Sequence, residues 1–367
     1  MIYMDNAATS YPKPPCVSSA AVEAIQNAGN PGRGIHKLAA WSSLCIAQAR
    51  IEIAELFNIS DPIRVAFTMN ATHSLNIAVN LCRGRIVTTS MEHNSVLRPI
   101  HRRGQYTIVK ADADGHISPD KVIEAACNKN VGAVVMTHAS NVTGEIYDIG
   151  KIGEFCNKNG ILFIVDAAQS GGCVPIDVEK MHIDCLCFTG HKSLFGQQGT
   201  GGIYLNDNIK IKPLLVGGTG SMSHMLTMPQ MMPDCFEAGT MNTHGICTLS
   251  AGIKYVKSIG IEQIHLQEKN LRDFFVKKLK EIRKITVYGR ENVDYTGVIS
   301  VSVEGKDPTE VGEFLAEHGI CCRVGFHCAP LAHRTLGTQN EGTVRFSINH
   351  MNTEEEIDYV IEMLNKI

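Results

Sequence analysis

The central part of this sequence alternates between short runs of β-forming residues and segments long enough to form helices. Two such helical segments cover residues 118–127 and 149–159. Because parallel strands need a crossover between them, the alternation predicts an α/β fold with a mostly parallel sheet covered on both faces. The predicted strands cover residues 64–68, 85–89, 131–137, 161–165, 184–189 and 202–205.

The sequence pattern changes near residue 245. A long helical region from 246 to about 285 carries regularly spaced apolar residues, and shorter elements follow it. These are a strand at 297–303, a helix at 308–317, a strand at 343–348 and a terminal helix that begins with a capping-box pattern, Thr353 and Glu356. We predict a large domain over residues 15–245 and a smaller α/β domain formed by 1–14 and 246–367.

Charge and cysteine spacing limit the classes of function. The 34 Lys and Arg residues nearly balance 37 Asp and Glu, for a net charge of -3, so we expect no nucleic-acid partner. The first residues lack a signal-peptide pattern and no apolar run could span a bilayer, so we expect a cytoplasmic protein without membrane contact. No two of the 13 cysteines have the spacing of a zinc or redox pair, so we expect no metal.

Polar side chains follow several of the predicted strands. Asp166 and Gln169 follow one strand, and Lys192 follows the next, while His93 and Asn141 follow two others. Because ligands bind at the carboxyl ends of strands in such sheets, we expect these residues to converge. Each residue alone has an ordinary explanation: a solvated lysine, a helix-capping aspartate or a packed histidine.

The combination has a specific chemical use. A lysine amine can form a Schiff base with pyridoxal phosphate (PLP), and a carboxylate from a neighbouring strand can keep the pyridine nitrogen protonated. A helix N-terminus carrying hydroxyls suits the phosphate group, and the segment Asn70-Ala71-Thr72 opens a helix. The residues therefore favour a PLP site.

The sequence resembles the fold-type I PLP enzymes of the class V aminotransferase group, and within it the cysteine desulfurases, particularly the branch of SufS-like enzymes and selenocysteine lyases. The similarity runs almost from end to end, and three segments in this order are the most specific: Asp-x-x-Gln, Gly-His-Lys and Arg-x-Gly-x-His-Cys-Ala. The matching segments are YMDNAATSYPKP at 3–14, NPGRGIH at 30–36, FTMNATHSLN at 67–76, MEHNSV at 91–96, HASNVTGEI at 138–146, VDAAQS at 165–170, FTGHKSLFGQQGTG at 188–201, FEAGTMNTHGI at 236–246 and RVGFHCAP at 323–330.

The resemblance implies a role for each of these residues around PLP. Lys192 would carry the cofactor, Asp166 would pair with its pyridine nitrogen and Gln169 would bond the ring oxygen. His93 would stack on the ring and move protons, and Asn141 would lie against ring and substrate. The phosphate ligands would be Thr72, Thr189 and His191, together with Thr240 reaching into the neighbouring subunit of a homodimer.

The resemblance also implies a substrate site. Arg345 would clamp the carboxylate of L-cysteine, and Asn30, His36 and Arg323 match other residues that line the pocket. Cys328 would attack the substrate sulfur and keep it as a persulfide, leaving L-alanine. An inert loop cysteine is the alternative, but the adjacent His327 and nearby Arg323 predict a cationic setting that favours the thiolate. The short segment around Cys328 predicts a fixed loop and a dedicated sulfur-acceptor protein.

The sequence departs from this family at several positions. Ala71 replaces a phosphate-binding hydroxyl, Phe326 replaces a histidine and the segment PLAHRTLGT at 330–338 is unlike that of better-known members. Three other functions remain open at this point. They are a lyase acting on L-selenocysteine, a class V aminotransferase acting on a small amino acid, and a non-catalytic PLP-fold scaffold, which the presence of both Lys192 and Asp166 disfavours.

Overall fold

The structure is a computed structural model that describes residues 1–32 and 34–367. In chain order its strands are β1 (Ile2–Tyr3), β2 (Val65–Thr68), β3 (Arg85–Thr89), β4 (Tyr106–Val109), β5 (Val131–Thr137), β6 (Leu162–Asp166), β7 (Cys185–Thr189), β8 (Gly201–Leu205), β9 (Ile285–Tyr288), β10 (Val298–Val303), β11 (Ile320–Cys321), β12 (Arg323–Gly325) and β13 (Thr343–Ser347). Its α-helices are α1 (Pro15–Asn27), α2 (Lys37–Phe57), α3 (Ala71–Leu81), α4 (Asn94–Arg103), α5 (Pro119–Ala126), α6 (Ile149–Asn159), α7 (Thr243–Ile259), α8 (Ile261–Glu281), α9 (Pro308–Glu317), α10 (Pro330–Thr335) and α11 (Glu354–Leu364).

Within the described residues, seven strands form the largest sheet, in the order β2-β8-β7-β6-β5-β3-β4. The strands from β7 to β4 are parallel to their neighbours, and β8 runs antiparallel to both β7 and β2. The prediction of a mostly parallel sheet is therefore confirmed. Strand β4 was not predicted from the sequence, because this edge strand has only four residues, pairs with β3 alone and is largely half-buried, so its apolar pattern is short.

Both faces of this sheet are buried. Along β5, Ala133 and Val135 belong to one hydrophobic cluster, and Val134 and Met136 belong to the other. Successive side chains of a strand point to opposite faces, so a continuous apolar run is what a sheet between two helical layers requires. Helices α3 and α4 cover one face, and α2, α5, α6 and α7 cover the other.

The C-terminal part of the chain has its own sheet and core. An antiparallel sheet in the order β12-β13-β10-β9 packs with α8, α9 and α11 around a third hydrophobic cluster. The N-terminal segment joins this part, because β1 pairs with β11 and Asp5 forms a bridge with Ser347. The predicted capping box of the last helix, Thr353 with Glu356, is confirmed.

The helical region predicted from 246 to about 285 consists of two helices, α7 and α8. Gly260 has a φ of 92°, a value that glycine adopts readily, and it separates α7 from α8. Helix α8 ends at Glu281, and the next residues lead into β9. Helix α7 packs on α1 and α2, which belong to the predicted large domain, so these contacts favour a domain boundary later in the chain than residue 245. The division at residue 245 stays a prediction. In the residues described, no helix has the length and apolar character needed to cross a membrane.

Candidate active site

A cavity of about 280 Å³ lies at the carboxyl ends of the parallel strands. The N-terminal segment, β12 and β13 contribute the rest of its wall. The cavity brings together ten of the residues that the sequence analysis singled out. These are Thr72, His93, Asn141, Asp166, Gln169, Thr189, His191, Lys192, Arg323 and Arg345.

Lys192 lies in the loop after β7, and the N-terminal segment holds this loop from behind. The Ser10 hydroxyl donates to the Lys192 carbonyl at 2.8 Å, and the Lys13 ammonium donates to the His191 carbonyl at 2.9 Å. Burial, and then the positive charge of Arg345, lowers the pKa of Lys192 to about 8. The neutral amine, which is the nucleophilic form, is therefore accessible near neutral pH.

Asp166 ends β6 and is buried. One of its carboxylate oxygens accepts a hydrogen bond from the Ala168 N–H at 2.9 Å. Burial raises its pKa, while the Ala168 N–H and the Lys192 ammonium act in the opposite direction. A further cation beside this carboxylate, such as a protonated pyridine nitrogen, would offset the cost of burying it. Gln169 is held next to it, because its side-chain amide donates to the Ala7 carbonyl at 3.2 Å.

The opposite side of the cavity offers donors to an anion. Helix α3 begins at Ala71 and reaches the cavity through Ala71 and Thr72, so its first-turn N–H groups and dipole favour negative charge there. The Thr72 and Ser95 hydroxyls are 2.7 Å apart, and the buried Nδ1 of His191 has no hydrogen-bond partner in the described residues. These donors fit a phosphate group, and the missing hydroxyl at Ala71 leaves the backbone N–H available.

His93 caps the N-terminus of α4. Its Nδ1 accepts a hydrogen bond from the Ser95 N–H at 3.0 Å, which assigns the hydrogen of the neutral ring to Nε2. Burial, and then the charge of Lys192, lowers the pKa of His93 to about 4. The imidazole is therefore neutral at physiological pH.

Two guanidinium groups line the cavity from neighbouring strands. Arg345 on β13 and Arg323 on β12 are directly paired in the sheet. Arg345 is 2% exposed, donates to the Asn141 carbonyl at 3.1 Å and forms a 3.0 Å ion pair with Asp5. The single carboxylate of Asp5 balances only one of the two positive charges of Arg345 and Arg323. A second carboxylate, from a bound ligand, could therefore pair with the remaining charge.

Asp5 and Ser95 were missed by the sequence analysis, although both lie in segments that carry the family resemblance. Asp5 reaches Arg345 because the N-terminal segment crosses β13, a contact between residues 340 positions apart. Ser95 contacts both His93 and Thr72 because α3 and α4 begin side by side. No local pattern in the sequence signals either contact.

Cys328 is exposed and directly follows His327, which lines the cavity. The Asn94 N–H donates to the Cys328 carbonyl at 2.7 Å, and the Asn141 side chain donates to the His327 carbonyl at 2.7 Å. The prediction that His327 contributes positive charge is wrong, because burial lowers its pKa to about 2 and keeps the ring neutral. The cation that interacts electrostatically with Cys328 is Arg345.

Three predicted residues lie outside the cavity of this single chain. Asn30, His36 and Thr240 are exposed, and the ring of His36 caps α2 by accepting a hydrogen bond from the Ala39 N–H at 3.3 Å. Their roles stay predictions. Arg33, within the matching segment 30–36, lies outside the described residues.

The comparisons with known proteins agree with this geometry. The family model for aminotransferase class-V matches residues 2–360, so the chain belongs to that family. A probable cysteine desulfurase of Pyrococcus abyssi is 34% identical over all of this chain and 94% of its own length. Cysteine desulfurase IscS of Shewanella sediminis is 32% identical over all of this chain and 92% of its own length.

Solved structures place the chain more narrowly. The apo cysteine desulfurase from Thermococcus onnurineus is 32% identical, with a TM-score of 0.91 and coverage of 100% of this chain and 94% of that one. The cysteine desulfurase CsdA from Escherichia coli is 26% identical, with a TM-score of 0.88 and coverage of 99% and 94%. Within its family, the chain is therefore a member of the cysteine desulfurases. Membership in the SufS-like branch stays a prediction.

Cysteine desulfurases are PLP enzymes, and the residues around the cavity fit that cofactor. A partly neutral lysine, a buried carboxylate and a set of phosphate donors stand on different sides of one space. The unpaired Nδ1 of His191 and the raised pKa of Asp166 each call for a partner that PLP would supply.

Proposed function

We propose that this chain converts L-cysteine to L-alanine with PLP held by Lys192, and that Cys328 receives the sulfur. The observation that carries the proposal is one cavity that unites Lys192, Asp166 and Arg345, with the exposed Cys328 directly after the cavity residue His327. Family membership supports the reaction class, and the geometry supports the assignment of residues.

The contacts support a division of PLP binding among three sets of residues. Lys192 would hold the cofactor covalently, and Asp166 with Gln169 would hold its ring. Thr72, Thr189 and His191, aided by the N-terminus of α3, would hold its phosphate. When bound, PLP supplies an electron sink that weakens the bonds to the substrate Cα.

Substrate binding and proton movement would fall to different residues of the cavity. Arg345 would bind the substrate carboxylate, with Arg323 adding positive charge from the neighbouring strand. The amine of Lys192 would take the proton from the substrate Cα and later return one, and His93 would assist as a neutral base.

The sulfur-transfer step balances without an added oxidant. The Cys328 thiolate attacks the substrate sulfur, an S–S bond forms and the bond between that sulfur and Cβ breaks. The electron pair of the broken bond stays with carbon, which takes up a proton and becomes the methyl group of L-alanine. Cys328 is left as a persulfide, which a reductant or a sulfur-acceptor protein would then discharge.

The proposal includes a homodimer with shared sites. Thr240 is exposed. Two large apolar side chains that precede it in the chain are exposed too: Leu226 is fully exposed, and Val216 is 77% exposed. Apolar exposure on this scale is typical of surfaces that contact another chain. By the family resemblance, Thr240 would reach the phosphate in the partner's site.

The test is the release of L-alanine and sulfide from L-cysteine by PLP-loaded protein, with and without a thiol reductant. We expect wild type to release both in equal amounts with reductant. Cys328→Ser should release neither while keeping the absorption of bound PLP. Cys127→Ser is the matched control, since Cys127 is another exposed cysteine, and it should behave as wild type.

Three outcomes would redirect the assignment. Full sulfide release by Cys328→Ser would overturn the role of Cys328. Turnover of L-selenocysteine by wild type and by Cys328→Ser, without desulfuration of L-cysteine, would indicate a selenocysteine lyase. Alanine formation that requires a keto acid and tolerates loss of Cys328 would indicate an aminotransferase.

A further inference from the structure

The segment after Cys328 packs against the turn that carries this cysteine. It forms α10 and returns to β13, and it contains the residues 330–338 that set this sequence apart from better-known relatives. His333, in the middle of this segment, is fully buried. None of the proposed chemical steps uses it.

The turn itself has an unusual backbone. His327 and Cys328 are consecutive non-glycine residues with positive φ values, 47° and 57°. An L-residue with a side chain pays a conformational cost in the left-handed region, so two in succession persist only where surrounding contacts hold them. The direction of the Cys328 side chain therefore depends on those contacts.

Backbone contacts hold the turn from the side of the cavity. The His327 carbonyl accepts from Asn141 and the Cys328 carbonyl accepts from the Asn94 N–H, each at 2.7 Å. The ring of His327 is also fixed, because its Nε2 lies 3.0 Å from the Thr343 hydroxyl. These contacts restrain one side of the turn.

His333 supplies the other side. Its ring centre lies 5.5 Å from that of His327, and its plane meets the ring of Phe326 nearly edge-on, at 86° and 5.6 Å. Thr338 holds His333 in turn, since its hydroxyl is 2.7 Å from Nδ1 and its N–H donates to the His333 carbonyl at 2.8 Å. His333 thus fills the space behind the turn and is itself fixed.

Both histidine rings are neutral at physiological pH, so they pack without charge repulsion. Burial lowers the pKa of His333 to about 4, as it lowers that of His327 to about 2. Neutral rings in contact behave as a packed aromatic pair.

We propose that His333, fixed by Thr338, is a positioning residue that holds the His327–Cys328 turn so that the Cys328 thiol is presented to the substrate sulfur. The inference rests on the proposed role of Cys328 as sulfur acceptor. It assigns a purpose to the segment 330–338, which packs against the turn through His333.

The test separates sulfur transfer from ligand binding in the PLP-loaded protein. We expect His333→Leu to slow persulfide formation on Cys328 in a single turnover by about tenfold to a hundredfold, because small misplacements of a reacting group cost this much. The Kd of L-alanine, measured from the absorption of bound PLP, should stay within about twofold of the wild-type value, since the loss of one good hydrogen bond to L-alanine would raise the Kd by more than that. Thr338→Val should act in the same direction with a smaller effect.

Two further variants complete the experiment. His333→Asn keeps a polar group for Thr338 and should recover part of the rate, and it also serves if His333→Leu fails to fold. His101→Leu removes an exposed histidine of α4 and should leave both quantities unchanged.

Two results would overturn the proposal. In the first, the His333 variant (His333→Leu, or His333→Asn if His333→Leu does not fold) and Thr338→Val both form the persulfide at the wild-type rate. The other is a joint loss of PLP, L-alanine binding and sulfur transfer, which would indicate a purely structural role. Failure of the proposed function is distinguishable, because either wild type itself would then form no persulfide on Cys328 or Cys328→Ser would retain sulfur transfer.

Discussion

The guanidinium group of Arg345 lies 3.0 Å from the carboxylate of Asp5, and this ion pair joins the two ends of the chain at the cavity. The side chain of Arg345 is only 2% exposed, so its charge is largely removed from water. Asp5 is held in turn by its bridge to Ser347 on β13. The pair thus fixes the residue that we propose to bind the substrate carboxylate.

We predict that Asp5→Asn lowers the free energy of unfolding by about 3 kcal/mol, because it leaves a buried guanidinium without its counter-charge. The matched control is Asp112→Asn, which removes the partner of Arg290 in a pair whose side chains are 39% and 46% exposed. That change should cost less than about 1 kcal/mol, since water screens exposed pairs. Denaturant unfolding of both variants gives the comparison, and equal losses would contradict it.

Glu268 predicts a pH dependence of stability. This residue of α8 is buried, and burial raises its pKa from 4.5 to about 8 in the folded protein, although the His350 N–H and the Cys173 thiol oppose the shift. The folded state therefore binds the proton more tightly than the unfolded state. Its stabilising contribution is complete below about pH 4.5 and is lost as the pH rises to about 8.

We therefore expect Glu268→Gln, which is neutral at every pH, to remove this loss. Relative to wild type, the variant should gain stability between pH 5 and pH 9, by at most about 5 kcal/mol at 1.4 kcal/mol for each pKa unit. Urea unfolding at several pH values measures the difference. The control Glu262→Gln changes an exposed residue of the same helix and should give no such trend; a constant difference between Glu268→Gln and wild type would refute the prediction.

Thr240 predicts complementation between subunits. Thr240→Asp should repel the phosphate of PLP, and Lys192→Ala should remove the covalent attachment, so each homodimer should be inactive. If Thr240 serves the partner's site, a mixed dimer contains one intact site and should show about half the wild-type activity. Co-expression with two affinity tags isolates the mixed dimer. An inactive mixed dimer would instead place Thr240 beside the Lys192 of its own chain.

The sequence predicted the strands of the large sheet well, with each predicted boundary within one residue of the structure. These strands are buried on both faces, so their apolar runs stand out from the helices between them. The small edge strand β4 and the break at Gly260 were missed for the opposite reason. A half-buried strand has a weak pattern, and one glycine within a helical pattern is compatible with either a continuous helix or a break.

Some features of the cavity could likewise be predicted from the sequence, and others could not. Asp166, His93 and Lys192 were predictable because each follows a strand, and the ends of parallel strands meet at one edge of the sheet. The neutral state of His327 was not predictable, since burial rather than residue type sets its pKa.

By itself, the sequence determined the class of fold, because periodicity acts locally along the chain, and its resemblance to a known family supplied the family and the roles of most residues at the cavity. Only the tertiary structure decided that Asp5 balances Arg345, that His333 packs behind Cys328, and that the rings beside the thiol carry no charge. Each of these depends on contacts or burial that arise when distant segments pack together. Such contacts leave no periodic trace in the sequence, because packing and desolvation depend on the surroundings of a side chain in space.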